Sequence, residues 1–469
     1  MNIIIFMLLV PLAALFVELI TDKRYSVPIA IGSTMLMLLF SLYLLGYSIE
    51  NNSIAISATY LLIPHINSGF SFYIGIVQLA LLLMASVVLL VSSMSGNLEG
   101  KDPRLSSSLI LLFQLASTGL FTSLNFFAFF VFWDIGVVAS FLMIAALGMA
   151  SSRQPAMNFL IYEIFASAML LIGILLIYSY TPSHTFDIYS IATSSASIPV
   201  NIQLLIFALM SLAFIVNMPL FPFHSWMPGA YSESSTQGSM VLSGILSKFG
   251  AYGLFIVFAT MPIASHYAVY IAALAIISSL YGAFVMLAQT DIKRIIAYGA
   301  MAETGIVALG ISASAASIIA KGGAVYGMLA QGIAIAFMFL VAGTISYEFA
   351  ERNIKLIKGI IATSKGTAYA FIMSIFAFAG MPLTAGFIAD ILIFIGAFHI
   401  FSFYALIPLV ALALAAAYLY SVASKSVLSA REHSESVKFY ALPQKVGYAI
   451  FILFIFLFGI IPFAILGLL

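Results

Sequence analysis

The chain is a succession of apolar runs separated by short polar connections. A helix needs about 20 mostly apolar residues to cross the hydrocarbon core of a bilayer. Runs of that kind fall at about 3–20, 27–47, 70–93, 107–124, 126–149, 156–179, 202–219, 236–259, 266–289, 294–312, 321–345, 366–400, 403–424 and 446–467. Taking 366–400 as one broken span gives fourteen transmembrane helices. Barrel strands would show segments of about ten residues with strict alternation, and that pattern is missing. The first run has no charged leader and continues straight into a hairpin, so it reads as a span and not as a cleavable signal.

Composition agrees. Only 7% of the 469 residues are charged and 64% are hydrophobic, too few charges to build a water-soluble surface. A net charge of +1 gives no electrostatic case for nucleic acid. Cysteine is absent, which removes disulfides, iron–sulfur clusters and thiolate metal sites from this chain. The six histidines, at 65, 184, 224, 266, 399 and 433, include no pair at helical ligand spacing. There is no glycine-rich phosphate loop. The runs around Gly244 and Gly250 lie within apolar helix and read as packing glycines. The expectation is an all-α polytopic membrane protein, a single membrane domain over 1–469.

The basic residues test the count. With fourteen spans, the odd-numbered connections hold Lys23, Arg24, Lys101, Arg104, Arg153, Lys293, Arg294, Arg352, Lys355, Lys358, Lys365, Lys425, Arg431, Lys438 and Lys445, which is 15 of 17. The even connections hold only Lys321, and Lys248 lies inside a span. Lysine and arginine concentrate on the inner face of membrane proteins. Both termini are therefore expected on the outer face of a plasma (inner) membrane.

Two spans carry proline in mid-run. Span 7 contains Pro219 and Pro222 within 217–228, and span 12 contains Pro382 within 379–387. Proline removes a backbone donor and clashes with the preceding turn. Freed carbonyls at membrane depth survive only where protein or a wet cavity satisfies them. The two segments share Met-Pro-Leu and lie five spans apart, so the helices run in opposite directions. Two readings fit: an inverted repeat of the kind found in transporters, or two kinked helices sharing a tripeptide. The repeat reading divides the chain into helices 1–3 over 1–100, helices 4–8 over 107–260, helices 9–13 over 266–425, and helix 14 over 446–467.

An ionisable residue inside the membrane is costly and points to function. Asp134 (span 5), Glu163 (span 6), Lys248 (span 8), Glu303 (span 10) and Asp390 (span 12) are of this kind, and His224 follows the first break. Burial raises an acid and lowers a lysine, and an opposite charge nearby reverses both shifts. A lysine switched by an approaching carboxylate is thus a proton valve. Bland readings stand beside the functional one. Asp134 and Asp390 fit a fixed salt bridge, Glu163 a local hydrogen bond, Glu303 a wet loop and His224 packing or capping. Glu18 is expected to be solvated beside Asp22, Lys23 and Arg24, as are Asp291, Lys293 and Arg294 at a helix boundary.

At these residues the chain resembles the antiporter-like membrane subunits of respiratory complex I, of the M and N type, and their relatives in Mrp antiporters and membrane-bound hydrogenases. The resemblance rests on Phe-Trp-Asp at 132–134, Pro-Phe-His-Ser-Trp-Met-Pro at 222–228, and Gly-Ile-Leu-Ser-Lys-Phe-Gly-Ala-Tyr-Gly at 244–253. It rests also on Leu-Ala-Gln-Thr-Asp-Ile-Lys-Arg-Ile-Ile-Ala-Tyr at 287–298 and Gly-Met-Pro-Leu-Thr-Ala-Gly-Phe at 380–387. It implies fourteen core helices, inverted five-helix repeats with helices 7 and 12 broken, and proton transfer by Asp134, Lys248, Glu303 and Asp390. It implies neighbouring membrane subunits, with quinone, flavin and iron–sulfur clusters on partner chains and no cofactor here. Protons would move through buried acid/lysine half-channels, coupled to quinone reduction elsewhere. An Mrp-type sodium/proton antiporter or hydrogenase subunit is the alternative.

Two departures stand out. Asn217 occupies the position of the usual lysine before the first break, and Gln331 stands where eleventh-span histidine is expected. Three readings follow: a reduced pumping set, a substitute pairing such as Asp134 with Lys248, or a structural subunit that no longer pumps.

Overall fold

A computed structural model describes residues 3–63, 68–96, 102–429 and 442–468. His65, Lys101, Arg431, His433 and Lys438 lie outside the described residues. Among those described, fourteen helices are long and apolar enough to cross a membrane. Spans 1 to 7 are Ile3–Ile20, Ser26–Asn51, Ile76–Met94, Pro103–Thr122, Phe126–Leu147, Arg153–Tyr180 and Val200–Asn217. Spans 8 to 11 are Thr236–Thr260, Ile263–Leu287, Ile292–Ala313 and Ile318–Phe349. Span 12 has halves Lys365–Phe378 and Ala385–Phe401, followed by Pro408–Val427 and Leu442–Ile460.

The division of spans 4 and 5, a matter of one residue in the sequence, is made by Asn125. Its side chain accepts from the backbone N–H groups of Phe127 and Ala128 at 2.8 and 3.2 Å, capping span 5. The expected start of span 3 near residue 70 is corrected. Residues Ser68–Ile74 form a strand paired antiparallel with Ile56–Ile63, and the helix begins at Ile76. Phe70 and Phe72, two apart on the strand, pack against Phe132 of span 5 with ring centroids 6.1 Å away. An apolar run cannot by itself separate a strand from the start of a helix. The connection after span 6 likewise folds, into a short helix Ile188–Ser194 capped by Asp187.

The connections sort onto two faces. On one, the connections after spans 5, 7, 9 and 11 are joined. Met149 N–H donates to the Glu233 carbonyl, Ile292 N–H to the Arg352 carbonyl, and Arg352 meets Asp291 at 2.7 Å. On the other, the connections after spans 2, 4, 6 and 8 are joined: Leu124 N–H donates to the Ser71 carbonyl, Ile188 N–H to Leu124, and the Ser195 hydroxyl to Thr260. This segregation is what an uninterrupted alternation of fourteen spans requires.

Spans 8, 10 and 11 form the interior, with spans 8 and 11 buried along their whole apolar windows. Spans 1, 6 and 12 lie at the periphery. Glycines permit the close approaches in between. A Cβ at Gly244 would sit 2.9 Å from the Gly332 carbonyl oxygen, and one at Gly250 would sit 2.5 Å from that of Phe214.

Both proline segments are true breaks. At the first, span 7 stops at Asn217 and a short helix, Met227–Glu233, carries the chain onward. The Val216 carbonyl, freed by the break, accepts the Trp226 indole N–H at 3.0 Å. The breaks close alike. Met218 and Leu220 N–H donate to the Phe214 and Ile215 carbonyls, and Ala379 and Met381 N–H donate to those of Ile375 and Phe376. By these bonds Met218 corresponds to Ala379, so the shared Met-Pro-Leu tripeptides are two residues out of step. The second break turns at Gly380, whose φ of +59° is open to glycine, whereas the first uses Pro219 at the equivalent position.

Candidate functional site

Span 5 carries Asp134 half-buried. Its carboxylate accepts the Ser167 hydroxyl of span 6 at 2.7 Å, and the Trp133 indole donates to the same Ser167 oxygen at 3.1 Å. One turn before Ser167, Glu163 is fully buried although its helix is peripheral. The Asn217 amide nitrogen donates to both Glu163 carboxyl oxygens, at 3.2 and 3.1 Å. The amide orientation follows from the network, because its oxygen accepts the Gly250 N–H of span 8 at 2.9 Å. Asp134 and Glu163 are within electrostatic reach of each other.

Thus Asn217, standing where a lysine was expected, has a carboxyl partner, and that partner is Glu163 and not Asp134. A neutral amide can hold a carboxyl by hydrogen bonds without fixing its charge.

Lys248 lies just after a π-helical segment, Leu242–Leu246, in the middle of span 8. Such widened turns often occur at functional positions. Its ammonium donates to the Ser247 hydroxyl at 3.3 Å, and its side chain is 1% exposed, so it does not reach either surface. The acid within its electrostatic reach is Glu303 of span 10. The alternative pairing of Asp134 with Lys248 is not formed. Glu303 is buried and not in a wet loop. Its side chain and its backbone carbonyl both accept from the Gln331 amide of span 11, at 3.0 and 2.9 Å. Glu303 is in turn within electrostatic reach of Asp390. Asp390 sits against the second break, where a Cβ on Gly380 would approach its carboxyl oxygen to 2.7 Å. A cavity of about 10 Å³ lies between Glu303, Gln331 and both halves of span 12, room for about one water.

Two features were missed in reading the sequence. Tyr231, buried in the short helix after the first break, donates to the Leu242 carbonyl at 3.3 Å and lies beside Ser247 and within electrostatic reach of Glu163. On span 8, Ser239, Ser243 and Ser247 each donate to the carbonyl four residues earlier. These buried hydroxyls run from the odd-connection face to Lys248. Helical spacing of serines was visible in the sequence, but their burial was not.

The remaining assignments separate. His224 packs between Phe221 and Tyr281, with ring centroids 5.8 and 4.7 Å away, and takes no part in the acid–lysine series. Glu18, expected in water, is buried and accepts the Ser108 hydroxyl at 3.0 Å. Lys293 is buried too, donating to the Ser234 carbonyl at 2.9 Å, because its helix end is covered by the connection after span 7.

A family model described as NADH:quinone oxidoreductase/Mrp antiporter, transmembrane region, matches residues 123–416. The chain belongs to this family. That match takes in both breaks and every residue of the buried series from Asp134 to Asp390. NADH-quinone oxidoreductase subunit M of Rickettsia prowazekii is 29% identical over 95% of this chain and 91% of its own length. An NAD(P)H-quinone oxidoreductase chain 4 of a Synechococcus strain is 31% identical over 83% of this chain and 74% of its own. Among solved structures, a chain of respiratory complex I from Thermus thermophilus superposes with a TM-score of 0.90, at 22% identity, covering 99% of this chain and 98% of that one. A chain of the Mrp complex from a Dietzia strain gives 0.88 at 17% identity, covering 100% and 96%. The fold is therefore that of the antiporter-like membrane subunits, and the solved neighbours sit in multi-subunit membrane complexes.

Proposed function

We propose that the chain is a proton-translocating, antiporter-like subunit of a complex I-like oxidoreductase, working beside other membrane subunits. Flavin, iron–sulfur clusters and quinone would belong to those partners. The observation that carries the reading is the series of ionisable groups within the spans, Asp134, Glu163, Lys248, Glu303 and Asp390, with Asn217 bonded to Glu163 and Gln331 bonded to Glu303. A structural scaffold gains nothing from five intramembrane ionisable groups, each of which costs free energy to insert.

In this reading Lys248 is the valve. It holds its proton while Glu303 is charged and releases it when that carboxyl is neutralised or moves away. Asp390, packed against the turn at Gly380, passes charge on at the second break. Glu163, held by a neutral amide, serves the first half in place of an acid–lysine pair. Residues 107–260 and 266–425 would be the two inverted repeats, each closed by one break. Following the basic residues, the odd connections face the inner side and both termini the outer side.

The test is proton pumping in membranes holding the assembled complex. Lys248→Ala is expected to lower the proton-to-electron ratio while leaving assembly intact, as is Asp390→Ala. An unchanged ratio in correctly assembled variants would overturn the reading. A second reading, an Mrp-type antiporter subunit, rests on the family description, which names both kinds of assembly. Co-purification of flavin and iron–sulfur partners argues against it, and co-purification of small membrane subunits alone argues for it.

A further inference from the structure

Lys321 breaks the charge pattern of the chain. It is the only lysine or arginine at the even-connection ends of the spans, where such charges are disfavoured. It also lies in the first turn of span 11, next to the positive end of the helix dipole, where a cation is destabilising. The fold offers no compensation, since among the described residues Lys321 enters no ion pair. An anion from outside the chain would supply it.

Lys321 lines a cavity of about 360 Å³ on the even-connection face. The connection after span 8 and the start of span 9 contribute Thr260 and Ser265, and the connection after span 10 contributes Ser314. Phe255 and Phe258 of span 8 form an apolar wall. No carboxylate lines this space. Span 9 begins there at Ile263 without a side-chain cap. The volume lies in the range of small-molecule sites. Cation, hydroxyls and an apolar wall at the end of a membrane span match a phosphodiester with a hydrocarbon attached.

We propose that this cavity binds the headgroup of an anionic phospholipid from the adjacent leaflet. Lys321 meets the phosphate, Ser265 donates to one of its oxygens, and Phe255 and Phe258 cover the first carbons of an acyl chain. The site is separate from the proton series and does not depend on it.

The purified full chain in detergent is titrated with phosphatidylglycerol and, separately, with inorganic phosphate, with native mass spectrometry counting bound molecules. One retained phosphatidylglycerol is expected, with affinity lowered about tenfold or more in Lys321→Glu and largely kept in Lys321→Arg. Lys321→Glu is expected to fold, because an acid suits the first turn of a helix. Lys355→Glu, on the opposite face, is the control and should bind as the parent does. Equal binding by the parent chain and Lys321→Glu would overturn the proposal. Displacement of the lipid by inorganic phosphate at comparable concentration would overturn the lipid as ligand, leaving a site for a free anion.

Discussion

Replacing Asn217 by leucine, of similar branched shape, removes one amide that does two jobs. It takes both donors from Glu163 and the acceptor from Gly250 N–H. Hydrogen bonds between membrane-embedded helices average about 0.6 kcal/mol and reach about 1.7, while bonds to charged groups run about 1.5–3. A bidentate contact to a buried carboxyl should therefore couple the two residues by about 1–2 kcal/mol. Losing the acceptor for Gly250 adds about 1 kcal/mol, so Asn217→Leu alone should destabilise the chain by about 2–3 kcal/mol. A double-mutant cycle with Glu163→Leu isolates the pair. The assay is reversible denaturant unfolding of the purified chain, read by circular dichroism. The double variant should be more stable than the sum of the single effects predicts, by the coupling energy. Additivity within about 0.5 kcal/mol would show that the pair is not formed and would refute its use as a substitute for acid and lysine.

Gly250→Ala should cost about 1–3 kcal/mol, because its Cβ would meet the Phe214 carbonyl oxygen at 2.5 Å and push spans 7 and 8 apart; unfolding of the variant measures it. Trp226→Phe should cost about 1 kcal/mol, since the Val216 carbonyl at the first break loses its donor, and an unchanged midpoint would contradict the role given to the indole. Burial pushes the Glu233 carboxyl up, but the Ser151 hydroxyl at 2.6 Å and Arg352 at 3.5 Å outweigh it and hold the group below its ordinary 4.5. Its contribution to stability is then complete above about pH 4.5 and is lost as pH falls through the lowered value. Thermal unfolding followed from pH 7 to pH 3 should show that acid-side decline, and Arg352→Gln should reduce it.

Much of the architecture was legible because hydropathy is a local property. Each run of apolar residues carries its own transfer free energy, so fourteen spans and the sorting of basic residues need no knowledge of neighbours. Asn125, with its capping side chain, even marks the boundary of span 5. The hairpin before span 3 was hidden, because Phe70 and Phe72 are as apolar in a strand as in a helix. The shared Met-Pro-Leu pointed to two corresponding breaks for an accidental reason, since the bonds that match lie two residues away. Intramembrane acids and Lys248 announced themselves by their cost.

Partnerships did not. Whether Asn217 meets Asp134 or Glu163 depends on how span 6 rotates against span 7, and whether Lys248 meets an acid of the first or second half depends on which helix crosses span 8. Tyr231 is placed by the direction the chain takes after the first break, and Lys293 and Glu18 are buried by connections distant in sequence. The sequence by itself determined how many times the chain crosses the membrane and which connections share a face, because insertion is decided residue by residue. The tertiary structure alone decided which buried groups touch, because packing sets that through side chains many residues apart.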